Sequence, residues 1–240
     1  RWTPVERNNF YEPRVAGRYF KKPKAWNIHT GIRTNTNNFY AIRLRAGVFR
    51  SYDSSRDQLW NHINITQYLR FSNRFNMNYR LNLTNDINDH GYVEYNEASG
   101  IIYFGKRDVH SLTNTLESNY MFSAKSSLNF RLRHYWSSAK YDRFFTLKNN
   151  GYLTDTDNYT ENADINFNAF NIDMSYVWNF APGSELSLVW KNAISLYGEE
   201  VIYNPLDNLH NTLESPQVNS ISLKILYYLD YLNFKRYNNA

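Results

Sequence analysis

The chain has 240 residues and a formal net charge of +5, and 42% of its residues are hydrophobic while 18% are aromatic. It contains no cysteine, which excludes disulfides, thiolate metal sites and a cysteine nucleophile. Its lysines and arginines are spread along the sequence and do not form one patch, so nucleic acid is not expected as a partner.

Alternation of apolar and polar residues recurs along the chain and predicts strands with one apolar and one polar face. In the stretch FNMNYRLNLT, residues 75–84, every odd position is apolar or aromatic and every even position is polar. Similar stretches predict one all-β, antiparallel up-and-down domain of roughly nine long strands. The predicted strands lie near 24–33, 38–50, 58–72, 75–86, 108–122, 127–146, 164–179, 184–197 and 217–231.

One predicted strand changes phase, because its apolar positions are odd up to Ala169 and even from Phe170 onward. A slip of one residue reverses the face that each later side chain occupies, so we predict a β-bulge near Ala169–Phe170. No segment shows a sustained helical period, and no linker divides the chain.

The predicted connections alternate between short turns and long loops. The turns lie at 34–37, 72–74, 123–126 and 181–184, and the long polar loops at 51–57, 87–107, 147–163 and 198–216. Strands of about 10 to 20 residues joined in this way are typical of a bacterial outer-membrane β-barrel. The alternative fold is a soluble β-sandwich or β-helix, whose strands are usually shorter.

In such a barrel the apolar face, spread over strands 24–231, is expected to contact outer-membrane lipid and lipopolysaccharide. The residues predicted to face lipid are Ile42, Leu44, Met77, Leu81, Ile172, Leu223 and Ile225. The aromatic residues that suit the two membrane interfaces are Trp26, Tyr40, Trp136, Trp178 and Tyr231. Residues 1–23 and the long loops would then be extracellular, and the short turns and the tail, 232–240, periplasmic.

Charged side chains occupy the opposite, polar face, which would line the interior of the barrel. The predicted charge network comprises Arg43, Arg45, Arg70, Arg80, Glu117, Arg131, Arg133, Asp173, Glu185, Lys224 and Asp230. In a narrow barrel these charges would pair across the interior, because buried charges need partners. In a wide barrel the excess of arginine would favour the passage of anions.

The sequence contains no catalytic motif of the G-x-S-x-G, H-E-x-x-H or P-loop type, so neither enzyme activity nor a cofactor is predicted. The best candidate for a metal site is the acidic loop at 154–164, through Asp155, Asp157, Asn158 and Glu161. Oxygen ligands at this spacing suit Ca²⁺, but the glycine and the closing glutamate of an EF-hand are missing. The alternative interpretation is a solvated polar loop without a metal.

Four segments of the chain carry a resemblance to a known family. They are IIYFGKRD (101–108), LNFRLRHYWSSAKYDRFFTL (128–147), ENADINFNAFNIDMSYVWNFAPGSELSLVWKN (161–192) and SISLKILYYLDY (220–231). These segments resemble the C-terminal barrel region of a domain-of-unknown-function family common in Bacteroidota. The resemblance implies an outer-membrane protein with an N-terminal domain similar to carbohydrate-binding module family nine. It transfers no catalytic residues to this sequence.

The expected function is that of a non-catalytic outer-membrane barrel that serves as a structural or binding subunit of a complex for assembly, secretion or uptake. One alternative is a surface glycan-handling protein or hydrolase whose active domain lies upstream, and another is a small-solute pore. Single-chain bacterial barrels have an even number of strands, so nine strands predict further strands upstream of Arg1 in a larger barrel.

Overall fold

The computed structural model describes residues 1–52 and 56–229, which form an all-β protein built on one large antiparallel sheet. The strands are β1 (Trp2–Thr3), β2 (Arg7–Asn9), β3 (Phe20–Lys22), β4 (Ala25–Arg33), β5 (Tyr40–Ser51), β6 (Leu59–Arg70), β7 (Phe75–Asn96), β8 (Ile101–Ser123), β9 (Ser126–Leu147), β10 (Leu153–Asp155), β11 (Ile165–Ala181), β12 (Ser184–Gly198) and β13 (Gln217–Leu226). The one helix within these residues, α1, spans Pro205–Glu214. No helix in the described part of the chain is long and apolar enough to cross a bilayer.

The large sheet follows the order of the chain almost throughout. Its strands are arranged β1-β4-β5-β6-β7-β8-β9-β11-β12-β13, and β10 pairs with β9. Every pairing is antiparallel, which confirms the predicted all-β, up-and-down arrangement. The described strands do not close into a barrel, because β1 and β13 stand at opposite ends of the sheet.

The nine predicted strands correspond to β4 to β9 and β11 to β13, and two of them are much longer than predicted. The predicted loop 87–107 is wrong, since β7 runs to Asn96 and β8 begins at Ile101. Register shifts between Asp86 and Asp89 break the two-residue alternation there. Gly91 and Gly105 lie opposite each other in the ladder, where a Cβ on Gly91 would collide with the side chain of Arg107 and a Cβ on Gly105 with that of Tyr141.

The β-bulge predicted near Ala169–Phe170 is also wrong. The register of β11 is continuous from Asn166 to Trp178 against β12, and it shifts only between Trp178 and Ala181. Asn166 and Asn168 therefore lie on the same face as Phe170, and both are buried. The change of phase in the sequence marks two buried polar residues and not a distortion of the strand.

Helix α1 corrects the prediction that no segment is helical. The side chain of Asn204 caps its first turn by accepting a hydrogen bond from the backbone N–H of Leu206 at 3.0 Å, and Pro205 follows in the first turn. With only ten residues, the helix is too short to show a sustained period in the sequence.

The N-terminal segment packs on the end of the sheet where the long connections lie. Its strands β2 and β3 pair with each other, and Phe20 of β3 contacts Phe104 of β8 with ring centroids 4.9 Å apart. The buried cluster around this contact comprises Phe20, Ile102, Phe104 and Leu147. The predicted final strand is seen up to Leu226, whereas Asp230, Tyr231 and the tail 232–240 lie outside the described residues.

Candidate functional site

The register of the sheet places the predicted lipid-facing residues on a single face, which we call the apolar face. Leu81 pairs with Ile65, which in turn pairs with Leu44, and side chains paired in this way point to the same side of a sheet. The same cross-strand reasoning places the whole predicted set on this face: Ile42, Leu44, Met77, Leu81, Ile172, Leu223 and Ile225.

Aromatic side chains border the apolar face at the end of the sheet with the short turns. Phe71 stacks on Phe75 at 4.8 Å between ring centroids, and Phe75 contacts Tyr120 at 5.8 Å. The series continues through Phe122, 4.8 Å from Tyr120, to Tyr176, 6.0 Å from Phe122. We call these five residues the aromatic row.

Two of the predicted interfacial aromatics lie at this end and two lie at the other. Trp178 is near the aromatic row and contacts Phe180 at 5.6 Å, and Tyr40 is paired with Leu69. Trp26 pairs with Trp2 at the opposite end of the sheet, and Trp136 pairs with Leu112. The fifth, Tyr231, lies outside the described residues.

A row of polar side chains marks the limit of the apolar face toward the end of the sheet with the long connections. Asn61, Asn85, His110, Ser138 and Asn166 are paired in sequence across five strands, and we call them the polar row. Asn85 donates a hydrogen bond to Asn61 at 3.2 Å, and its Oδ1 lies 2.8 Å from Nδ1 of His110. On β7 the apolar face is therefore confined to the nine residues Phe75–Leu83.

Helix α1 lies on the apolar face beside the polar row, with its polar side toward the sheet. The amide of Asn208 donates to Oδ1 of Asn168 at 2.6 Å, and its own Oδ1 accepts hydrogen bonds from Asn168 and Asn166 at 3.0 and 3.2 Å. Leu206 and Leu213 are instead 75% and 44% exposed. The helix thus buries amides and exposes leucines, the reverse of a helix on a water-soluble protein.

The opposite face, which we call the polar face, carries every described member of the predicted charge network. Glu117, Arg131, Asp173 and Lys191 are paired in one row across four adjacent strands, so that negative and positive side chains alternate. Arg131 and Glu117 approach to 3.5 Å, and this row lines a groove of about 620 Å³. Lys191 was not predicted as a member of the network. It follows Trp190 in β12, and the alternation of that strand places the two side chains on different faces.

A second row on the polar face contains only positive charges, and we call it the arginine row. Arg33, Arg43, Arg80 and Arg133 share this row with Thr66 and Thr115. Within the residues that the structure describes, no carboxylate pairs with any of these four arginines. Arg33 was left out of the predicted charge network, although it alternates with Ile32 and so falls on the polar face of β4.

The remaining members of the network lie on the polar face at other levels. Arg45 is one row beyond the arginine row and pairs with Asn64, while Arg70 pairs with Asn76 near the short turns. Glu185 is opposite Leu226, and Lys224 is opposite Ser187, so the ladder gives neither an oppositely charged neighbour. Asp230 lies outside the described residues.

A compact polar cluster that the sequence did not predict lies in the extended part of the β7–β8 hairpin. Gln58 donates to Asp86 at 2.8 Å and to Asp89 at 3.1 Å, and Arg107 donates to Asp89 at 2.9 Å. Burial, and next the neighbouring Asp89 carboxylate, raise the pKa of Asp86 to about 6. Burial, and next the positive charge of Arg56, lower the pKa of His90 to about 4.

The predicted metal ligands do not come together. Asp155 ends β10 and lies 3.6 Å from the guanidinium of Arg143, and Asp157, Asn158 and Glu161 are exposed. Nowhere in residues 1–52 and 56–229 do three histidine, aspartate or glutamate side chains gather as a metal ion would require.

Comparison with known proteins gives a family but no characterised relative. No curated protein and no solved structure matches the chain. The sequence profile of one family, described as a domain of unknown function, DUF5916, matches residues 1–238. Because this match covers nearly the whole chain, the protein belongs to the DUF5916 family.

Proposed function

We propose that this chain forms part of the wall of an outer-membrane β-barrel, with the apolar face toward lipid and the polar face toward the interior. The observation that carries the proposal is the limited height of the apolar face, between the aromatic row and the polar row. A water-soluble sheet buries its apolar face under another layer, whereas Ile63, Leu188, Ile221 and Leu223 are each more than 40% exposed.

The height of the apolar face agrees with the dimensions of a membrane. A strand rises about 3.4 Å per residue, so Phe75–Leu83 extends for about 27 Å along β7. At the tilt of about 40° that barrels adopt, this corresponds to about 21 Å along the membrane normal. The apolar band of outer-membrane barrels is about 25 Å tall, so the apolar face of β7, which includes Phe75 of the aromatic row, is a few ångströms shorter.

The orientation of α1 also supports a lipid environment on this side of the sheet. Asn208 and Thr212 face the sheet, Leu206 and Leu213 are exposed, and Asp207, Asn211 and Glu214 lie on a third side. A helix at the boundary between barrel wall, lipid and water requires these three sides. We place α1 at the outer membrane interface, in the loop that follows β12.

The two ends of the sheet indicate the role of the protein in a larger assembly. In hydrocarbon an unpaired backbone group costs several kcal/mol. Among the described residues the outer edge of β13 is unpaired and that of β4 is paired only with the short β1, so both edges need further strands in a membrane. We propose that another segment of the protein or a partner chain supplies them, and that the protein acts as a non-catalytic structural or binding subunit of an outer-membrane complex. The resemblance stated above also supports this assignment. It covers residues 101–231 and relates them to barrels of Bacteroidota that carry an upstream carbohydrate-binding-like domain.

The arginine row favours a second candidate function, the passage of small anionic solutes through the interior. Its four guanidinium groups have no carboxylate partner in the described chain, and a water-filled pore with such a wall selects for anions. Reversal potentials of the full-length protein in planar bilayers test this function. Anion selectivity would support the pore function. The absence of conductance would contradict it, and only the structural role would remain.

The proposed location is tested by fractionation of cells that produce the full-length protein. We expect it to remain in the outer-membrane fraction after extraction with carbonate, and to migrate faster in gels when it is not heated, because folded barrels keep their structure in detergent. Recovery in the soluble periplasmic fraction would contradict the proposal.

A further inference from the structure

The polar face contains a small pocket beside the arginine row. The pocket has a volume of about 280 Å³ and is lined by His29, Gly31, Arg45 and His62, with Thr30 and Ala46. His29 and His62 lie on either side of Gly47 in the ladder, and their ring centroids are 5.3 Å apart. A Cβ on Gly47 would collide with both imidazole rings, so this position must be glycine for the two rings to lie there.

The lysine, arginine, aspartate and glutamate side chains that line the pocket are represented by Arg45 alone, so the formal charge of its lining is positive. In the described residues between 25 and 84, the only acidic side chain is Asp57, which pairs with Arg50 at 3.2 Å in the connection between β5 and β6. On β7 the polar face carries a carboxyl only beyond Thr84, at Asp86, which lies opposite Trp60 and is hydrogen-bonded to Gln58. The polar face of β4 to β7 is therefore cationic up to the level of Thr84, which includes the pocket and the arginine row.

The pocket also contains a polar atom that the protein leaves without a partner. Nδ1 of His62 is buried and has no hydrogen-bond partner within the described residues. A buried polar atom in this state is unfavourable, and rotation of the imidazole ring toward the pocket would let a bound group with oxygen atoms satisfy it. Arg45 is exposed at the mouth of the pocket, where its guanidinium can bind two oxygens of one anion.

We propose that this pocket binds one anionic group of a polyanion, and that the arginine row binds further groups of the same molecule. Arg45 and Arg43 are two positions apart on β5, about 7 Å along the strand, and Arg43 and Arg80 are two strands apart, about 10 Å. Phosphate or carboxylate groups at such spacings fit this surface. A ligand with a single anionic group would occupy the pocket alone and bind more weakly.

The test uses full-length protein in detergent and isothermal titration with tripolyphosphate, with inorganic phosphate as the single-group ligand. We expect tripolyphosphate to bind, and the variants Arg45→Gln and His62→Gln to weaken its binding about tenfold each, because each removes a group that contacts the ligand. The matched control is Arg70→Gln, which removes the same charge from the same face near the short turns, and which should change binding less than about twofold.

Three results would overturn the inference. These are no binding by the wild-type protein, an equal loss in Arg70→Gln and Arg45→Gln, which indicates attraction by net charge alone, and equal affinity for phosphate and tripolyphosphate. The unheated gel mobility of each variant establishes that it is folded. Because binding is measured in detergent, failure here is separate from failure of the proposed membrane location.

Discussion

Asp86 couples the stability of the upper β7–β8 hairpin to pH. Its carboxyl is held by Gln58 in a half-buried site beside Asp89, and burial raises its pKa from the ordinary 3.8 to about 6. The protonated form is therefore favoured in the folded protein. Its contribution to stability is fully present below about pH 4 and is lost as the pH rises through 6.

The variant Asp86→Asn tests this coupling, because asparagine keeps an oxygen that can accept the hydrogen bond from Gln58 but has no charge. We expect the urea midpoint of unfolding in detergent to be higher than that of the wild type at pH 8, and the difference to shrink as the pH falls and to disappear below about pH 4. If the wild type had the higher urea midpoint at pH 8, the folded protein would instead stabilise the charged form of the Asp86 carboxylate.

The polar cluster around Asp86 could not be predicted from the sequence, and the reason is physical. The register shifts directly after Asp86, the last residue of the predicted strand, so the alternation is broken there and Asp89 and His90 were assigned to a polar loop. The lower residues of the same strand, such as Leu81 and Asn82, follow an unbroken two-residue period, and their facing was predictable. The position of the register shift between Asp86 and Asp89 could not be read from the sequence.

At the scale of single elements, the sequence predicted the strands better than the features that cover them. The ends of β6, β9 and β12 lie within a few residues of the predicted ends, because the alternation of apolar and polar residues continues to the ends of these strands. Helix α1 and the continuous register of β11 were missed together. Asn166 and Asn168 break the apolar pattern of β11 because Asn208 of the helix covers them, and such a tertiary contact has no local signal.

The amide contacts of Asn208 are expected to hold α1 against the sheet. Its replacement by alanine leaves the buried amides of Asn166 and Asn168 without this partner, at a cost of about 1 to 3 kcal/mol. We expect roughly ten- to hundredfold faster hydrogen exchange of the α1 amides in the variant, measured by mass spectrometry.

The control for Asn208→Ala is Asn211→Ala, since the side chain of Asn211 is exposed on the same helix. That variant should exchange at nearly the wild-type rate. Equal acceleration in both variants would mean that the helix responds to its intrinsic propensity and not to its contact with β11.

The two faces of β7 should differ in their tolerance of charge. Leu81 lies on the apolar face and Asn82 on the polar face of the same strand. Leu81→Arg is expected to destabilise the protein in phosphocholine vesicles by about 2 to 4 kcal/mol, because the guanidinium is placed in hydrocarbon. Asn82→Arg, the matched control, should have a far smaller effect in the same urea titration, and equal losses would contradict the assignment of faces.

Across the whole molecule, the features form two zones along the strands. One zone lies between the aromatic row and the polar row and has an exposed apolar face, and the other, beyond the polar row, holds the buried cluster around Phe20 and Phe104. The N-terminal segment packs in the second zone, as does the polar cluster around Asp86. In the proposed membrane setting the first zone is the transmembrane wall and the second stands outside the bilayer.

The charge on the polar face is likewise divided across the molecule. The β8–β12 half carries the alternating row of Glu117, Arg131, Asp173 and Lys191, whereas the β4–β7 half carries arginine without acid up to Thr84, below Asp86. The sequence predicted which residues share this face, yet not their grouping. Grouping depends on register between strands that are distant in the chain, and alternation within one strand does not determine it.

The central claim, that the apolar face contacts lipid over a limited height, is tested most directly by a cysteine scan of β7. These 240 residues contain no cysteine, so single substitutions at Met77, Leu81, Asn78, Asn82 and Asn85 each introduce one spin-labelled site into them. The label is measured in the full-length protein in vesicles of outer-membrane lipid, after any cysteine elsewhere in it has been replaced. Power-saturation spectroscopy measures the access of oxygen, which is concentrated in lipid, and of a water-soluble nickel complex. We predict preferential oxygen access at 77 and 81, and nickel access at 78, 82 and 85. Equal nickel access at 81 and 82 would contradict the account.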